Sequence, residues 1–299
     1  MSTWLSHQAT QTNRFKTLLQ LSENLGYMLI EPPYFIDYDD FRNEQPFKDP
    51  KGWIKLSNPE GRVLVLRPDL TTSVMDQLQW KPTDGPLKVS YYASTFFQTQ
   101  HRLESQKEFG FEYFNAPPVA GETHIGKTLE AFNQTFKLSL ILEVSHTDVF
   151  KKIITLLNLK ESSLNDLKTL FKNKSFDALE DWFKTQSFSE NQQNLIKAMT
   201  QPYPSLKDFN DVLLKTGFEN EFKPLLTSLK PFETLLGYEV VFDFSGMSDW
   251  SYYEGVMFQV FEETYPKPLL KGGRYRLRGM QGEAIGCSLK LDDLIEVTL

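Results

Sequence analysis

Hydrophobic positions change their period twice along the 299-residue chain. Phe15, Leu18, Leu19 and Leu25 fall roughly on one helical face, and Gly26 follows where a helix C-cap is expected. Residues 27–31 are extended and stop at Pro32-Pro33. Residues 62–66, bounded by Gly61 and Pro68, read as a strand, and Asp69 then stands at an N-cap position before a helix over 71–78. Residues 89–97 and 109–114, rich in aromatics, read as paired strands. A helix over 121–136 and a strand over 138–144 follow.

From Phe150 the period becomes helical and stays so. Phe150, Ile153, Ile154 and Leu157 repeat at i, i+3, i+4 and i+7; Leu164, Leu167, Leu170 and Phe171 repeat the pattern, and Leu179, Trp182 and Phe183 continue it. Pro202 and Pro204 interrupt the run, which resumes to about Leu236. Residues 150–236 thus read as a helical insertion between two parts of one core, 1–149 and 237–299. Strands return at 238–244, 253–261 and 283–289, and residues 290–297 close as a short helix. Strands on both sides of a helical block, with few βαβ alternations, predict an α+β fold: an antiparallel sheet flanked by helices.

Composition narrows the function classes. A chain that is 40% hydrophobic and 14% aromatic supports a packed core. A net charge of −7 disfavours nucleic-acid partners, whose affinity rests on Lys and Arg releasing counterions from phosphates. Cys287 is the single cysteine, so no disulfide forms within the chain. His7, His101, His124 and His146 make no close metal-type pair, so no metal is expected. No apolar run is long enough to span a membrane, and residues 1–15 carry no signal-peptide core; a cytoplasmic protein is expected.

Four segments carry candidate chemistry. In Arg67-Pro68-Asp69-Leu70-Thr71, Asp69 and Thr71 put a carboxylate and a hydroxyl at a strand-to-helix corner, either to bind an ammonium group or simply to cap the helix. In Glu108-Phe109-Gly110-Phe111-Glu112, the two glutamates face the same side of a strand, with Gly110 leaving room for a ligand or for backbone; a solvent-facing strand is the alternative. In Ser251-Tyr252-Tyr253-Glu254, adjacent tyrosines face opposite ways, so one lines a pocket while the other packs, or both pack. Lys271-Gly272-Gly273-Arg274-Tyr275 reads as a Gly-Gly turn, plain or forming an anion-binding nest beside Arg and Tyr275.

Taken together and in this order, the segments resemble the catalytic core of class II histidyl-tRNA synthetases and their paralogues, from about Gly26 to the end of the chain, the helical insertion aside. Pro33 is similar to the dimer-interface proline of the first class II motif. Residues 67–71 resemble the segment that holds the amino group of histidine, and 108–112 the strand that reads amino group and imidazole. Residues 251–253 and 272–275 resemble the two halves of the histidine signature, and 284–289 the strand of the third class II motif. The resemblance makes Asp69, Thr71, Glu108, Glu112, Tyr252, Tyr253 and Tyr275 candidates for a histidine pocket.

The departures from that pattern point away from catalysis. Amino-acid activation needs cations on the ATP phosphates to stabilise developing negative charge. Phe97 stands where the second class II motif has an arginine, Asp293 where the third has one, and Ser248 or Asp249 where the histidine signature opens with one. Removing one such donor costs about 100-fold or more in rate. The chain also stops just after the third motif, without the family's anticodon-binding domain. The resemblance therefore implies the paralogue that keeps a pocket without activation chemistry: the regulatory subunit of short-form ATP phosphoribosyltransferase, first step of histidine biosynthesis. Such a chain has no catalytic residues and no cofactor. It pairs with itself and with the short catalytic subunit, and responds to histidine as an effector. Glu108 and Ser251 depart from the family's glutamine and aspartate at those positions. The competing readings are a minimal histidyl-tRNA synthetase core and a paralogous RNA-binding adaptor.

Overall fold

A computed structural model describes residues 3–44, 50–78, 85–245, 253–276 and 282–298. Strands β1 (Met28–Ile30), β5 (Leu87–Gln98), β6 (Leu103–Phe114), β7 (Leu140–His146), β8 (Tyr238–Phe242), β9 (Tyr253–Glu262), β10 (Pro268–Tyr275) and β11 (Ala284–Lys290) form one sheet in the order β1-β5-β6-β11-β10-β9-β7-β8. A small antiparallel sheet of β2 (Phe35–Asp37), β3 (Lys55–Ser57) and β4 (Val63–Leu66) stands beside it, in the order β2-β4-β3. The central six strands pair antiparallel, as the strand pattern predicts. Both edges differ: β1 runs parallel to β5, and β8 parallel to β7. The sheet is therefore mixed, because each edge strand arrives after a helix or a helical excursion and not through a hairpin.

Alternation along the central strands sorts the two faces. On β6, Phe109 and Phe111 point into the larger core beside α1 (Thr3–Asn24) and α4 (Ala120–Phe136), where Tyr27 stacks edge-on against Phe111. Glu108, Gly110, Glu112 and Phe114 point the other way. On β5, Tyr92 stacks on Phe15 of α1, while Val89, Tyr91 and Ala93 join Leu70 and Val74 of α3 (Leu70–Leu78) in a second, smaller cluster. Helix α1 ends as the sequence predicts. Gly26, with φ +79°, takes the position that favours glycine, and the amides of Gly26 and Tyr27 bond back to the carbonyls of Glu23 and Ser22 at 3.0 Å each.

Six helices occupy the stretch between β7 and β8: α5 (Thr147–Leu157), α6 (Glu161–Lys172), α7 (Leu179–Lys184), α8 (Glu190–Ala198), α9 (Leu206–Thr216) and α10 (Glu219–Leu229). Their buried residues, among them Ile153, Phe171, Leu195, Phe209 and Phe222, are continuous with the core residues Leu142, Val144 and Phe258 of the sheet. Ser189 opens α8 with a capping box: its side chain accepts from the Gln192 amide, and the Gln192 side chain accepts from the Ser189 amide. Helix α2 (Tyr38–Glu44) packs on the small sheet, and α11 (Leu291–Val297) closes against α1. Among the described residues no helix is long and apolar enough to cross a membrane.

Three sequence expectations need correction. The Gly272-Gly273 pair is not a turn: both sit inside β10, opposite Cys287 and Gly286 of β11. A Cβ on Gly272 would come within 2.3 Å of the Gly286 carbonyl, and one on Gly273 within 2.6 Å of the Val256 carbonyl, so the glycines serve close strand packing. Gly110 leaves room for a side chain, not a ligand, because the Tyr91 ring covers it and a Cβ there would meet Tyr91 Cζ at 2.1 Å. Strands β5 and β6 are also longer than predicted. They continue through polar residues to a tight turn at Thr99–Arg102, where pairing and not burial sustains them.

Candidate functional site

The inner strands and the start of α3 enclose a cavity of about 300 Å³ on the sheet face opposite α1. Asp69, Thr71, Glu108, Glu112, Tyr253 and Tyr275 all line it, although they come from α3 and its N-cap, β6, β9 and β10. Tyr252 lies outside the described residues, as do Ser251, Ser248 and Asp249.

Glu112 is the centre of the arrangement. It is 2% exposed, and its two oxygens are divided between hydroxyl donors. Thr71 Oγ1 donates to Oε1 at 2.9 Å, and the Tyr275 hydroxyl donates to Oε2 at 2.8 Å. Gly286 on β11 makes room for it, since a Cβ there would stand 1.9 Å from Oε2. Burial pushes the Glu112 carboxyl up to about 7, against the opposing hydrogen bonds from Tyr275, Thr71 and Tyr91; nearby Asp69 adds to the rise. At neutral pH this group is therefore close to its own midpoint, able to accept from a donor or to give its proton to a base. Buried Tyr91, beside it, is pushed well above the ordinary tyrosine value by desolvation and by Glu112.

The other members divide between structural and outward roles. Asp69 caps α3, accepting from the Thr72 amide and hydroxyl at 2.9 Å each while it also faces the cavity, so capping and lining coexist. Glu108, half-buried and two strand repeats from Glu112, accepts from Thr95 Oγ1 at 3.0 Å. Arg67 does not line the cavity. It is 2% exposed, lies over the Tyr34 ring at 4.2 Å, donates to the Ser94 carbonyl at 2.7 Å and bonds the Pro32 carbonyl. It thereby ties the segment around Pro33 to β5.

Of the three positions where arginines are missing, the two among the described residues separate. Phe97 lines the cavity. Asp293 does not: it is buried on α11 and accepts from the Tyr265 hydroxyl at 2.8 Å, so its charge is engaged away from the lining. No arginine lines the cavity among the described residues; Lys271 and Lys290 are its cations. Among the described residues no group of three or more His, Cys, Asp or Glu gathers as a metal site would require.

Sequence reading missed Tyr91, Gly286 and the structural role of Arg274. Tyr91 was readable in principle, since it alternates with Ala93, Thr95 and Phe97 on a strand antiparallel to β6. Arg274 is turned to the opposite face. Its Nε and Nη2 donate to the two Glu122 oxygens at 2.6 and 2.9 Å, and its Nη1 donates to the Ala116 carbonyl and to Glu283 at 3.1 and 3.2 Å. That contact crosses 152 residues of chain, and no local pattern announces it.

A mixed sheet flanked by helices, carrying a polar cavity on one face, is the architecture of the class II synthetase catalytic core. The histidyl-tRNA synthetase family model matches residues 4–294, and the chain belongs to that family. Its curated relatives include the ATP phosphoribosyltransferase regulatory subunit of Oceanobacillus iheyensis, 25% identical over 95% of this chain and 71% of that protein. The regulatory subunit of Clostridium acetobutylicum is 26% identical over 97% of this chain and 76% of that protein. Among solved structures, an ATP phosphoribosyltransferase regulatory subunit/histidyl-tRNA synthetase from Bacillus halodurans superposes with a TM-score of 0.79 at 19% identity, covering all of this chain and 81% of that one. The ATP phosphoribosyl transferase (HisG:HisZ) complex from Thermotoga maritima gives 0.67 at 17% identity, covering 93% of this chain and 97% of that one.

Proposed function

We propose that this chain is the non-catalytic regulatory subunit of an ATP phosphoribosyltransferase, required by a short catalytic subunit for full activity and for feedback control by histidine. The observation that carries the reading is the composition of the cavity. It keeps a buried carboxylate held by hydroxyls, with Asp69, Glu108 and Tyr253 around it, but Phe97 stands where a synthetase places a phosphate-binding arginine. Such a site suits a small donor-rich ligand and is poorly equipped to stabilise a reacting triphosphate. Asp69, Thr71, Glu108, Glu112, Tyr252, Tyr253 and Tyr275 are the residues we assign to histidine. Binding and control are reciprocal: if histidine shifts the complex to a less active state, that state binds histidine more tightly.

Two features of the fold support the assembly. Met28, Leu29, Tyr34 and Phe35 are 54, 40, 49 and 45% exposed, an apolar strip along edge strand β1 and the Pro33 segment that suits a self-dimer. The chain leaves the sheet after β7 and re-enters beside it at β8, which supports reading residues 150–236 as an insertion into a core formed by 1–149 and 237–299. The unpaired, buried Cys287 fits a cytoplasmic setting.

Reconstitution tests the proposal. Mixed with the short catalytic subunit, the chain is expected to raise the rate of phosphoribosyl-ATP formation, and histidine to lower it again. No change in rate and no co-elution with the catalytic subunit would remove the assignment. The rival reading, a minimal histidyl-tRNA synthetase core, predicts histidine-dependent ATP–pyrophosphate exchange by the chain alone; we expect none.

A further inference from the structure

The cavity is polarised. Its floor holds Glu112 and Asp69, whereas Lys271 and Lys290 stand at its rim, both exposed, and they are the cations among its described lining residues. Their position follows from strand alternation. Gly286 of β11 faces Glu112 closely enough that a Cβ would strike it, so Ser288 and Lys290, two and four residues on, project from the same face. Lys271 of β10 lies directly opposite Ser288 and alternates with Gly273 and Tyr275, whose hydroxyl bonds Glu112. Lys271 and Lys290 are thus diagonal neighbours on one sheet face, with backbones about 7–8 Å apart. Flexible four-carbon stems let both ammonium groups converge on one anion. Neither lysine is ion-paired among the described residues, although β6 places Glu108 opposite Lys290.

We infer that Lys271, assisted by Lys290, clamps the carboxylate of an amino-acid ligand whose polar side chain or amino group is read below by Glu112. This rests on the reading of the cavity as the effector site and adds its specificity: a ligand must be both a donor at one end and an anion at the other. Lys271 carries the larger share, because Glu108 beside Lys290 already offsets part of that lysine's charge. A phosphoryl group would satisfy the same two ammonium groups, so the test separates the two anions.

Isothermal titration of the full chain and of its complex with the catalytic subunit compares histidine with histamine, the same molecule without the carboxylate. Histidine is expected to bind about 10-fold or more tightly than histamine, the usual effect of one charge-assisted hydrogen bond. Lys271→Ala is expected to weaken histidine by about 10-fold. Lys290→Ala should weaken it less, histamine should bind both variants as it binds the wild type, and Lys271→Arg should restore histidine binding. Histidine binding unchanged in Lys271→Ala/Lys290→Ala would overturn the clamp while leaving the effector site standing. So would inorganic pyrophosphate binding that disappears in the double variant while histidine is unaffected, because the anion held would then be a phosphoryl group. Absence of binding by both histidine and histamine, in chain and complex, would overturn the effector site itself and the clamp with it.

Discussion

Glu112 and Glu122 are buried almost equally, 2% and 1% exposed, yet the fold treats them differently. Glu122 is met by the fork of Arg274 in two buried charge-assisted bonds, and Gly121 and Gly255 keep close space for that side chain: a Cβ would stand 2.9 Å from Nη2 and 3.3 Å from Cδ. Glu112 is met only by hydroxyls among the partners just described, and its carboxyl is pushed up to about 7. One charge is matched within the protein. The other is held in place and left electrically unmatched, which suits a site whose missing charge arrives with a ligand.

The largest expected effect lies on the matched side. Glu122→Ala leaves the buried Arg274 with Glu283 as its remaining carboxylate partner among the described residues, and should cost about 3–5 kcal/mol in denaturant unfolding. A cost below 1 kcal/mol would erase the contrast.

On the unmatched side the signature is a pH dependence. A carboxyl raised from 4.5 to about 7 on folding means that the folded protein holds more protons than the unfolded chain between those values. Its contribution is fully present below pH 4.5 and is lost as pH rises through 7, by up to about 3 kcal/mol. Glu112→Gln should flatten that part of the stability–pH profile, with wild type losing more stability than the variant between pH 5 and 8, roughly the window those two values set. Parallel profiles would mean that Glu112 is matched after all.

Gly286→Ala is smaller in energy and sharper in location. The added methyl meets Glu112 Oε2 and the Phe111 carbonyl, so a loss of about 1–3 kcal/mol accompanies displacement of the Glu112 side chain and loss of ligand binding. Smallest is Ser189→Ala, outside the cavity lining. It removes the α8 cap for about 1 kcal/mol and should leave ligand binding untouched, which checks that the losses above are not a general response to destabilisation.

The same contrast explains what the sequence could reveal. Glu108 and Glu112 share a face because strand alternation is local, so their common face was readable from a five-residue string, while the cavity over it was not. Asp69 was readable as a cap for the same reason, and the helices between 150 and 236 because a 3.6-residue period needs no distant partner. The partners of Arg274 and the glycines of β10 were not readable. A Gly-Gly pair has the local appearance of a turn, and only the neighbouring strands, with Cys287, Phe258 and Tyr253 pressed against it, make it a strand. The parallel edges of the sheet were hidden in the same way, since β1 and β8 pair with strands reached through helices. Asp293 stood out by position along the chain, but Tyr265, a residue with no motif of its own, draws it away from the cavity.

The most direct test of the account is histidine inhibition of the reconstituted complex, measured for wild type and for Glu112→Ala and Tyr253→Phe. If the cavity is the effector site, each variant chain still raises the rate of phosphoribosyl-ATP formation, while the histidine concentration giving half inhibition increases by about 10-fold or more. Inhibition curves that superpose on the wild-type curve would contradict it and move the effector site elsewhere in the complex.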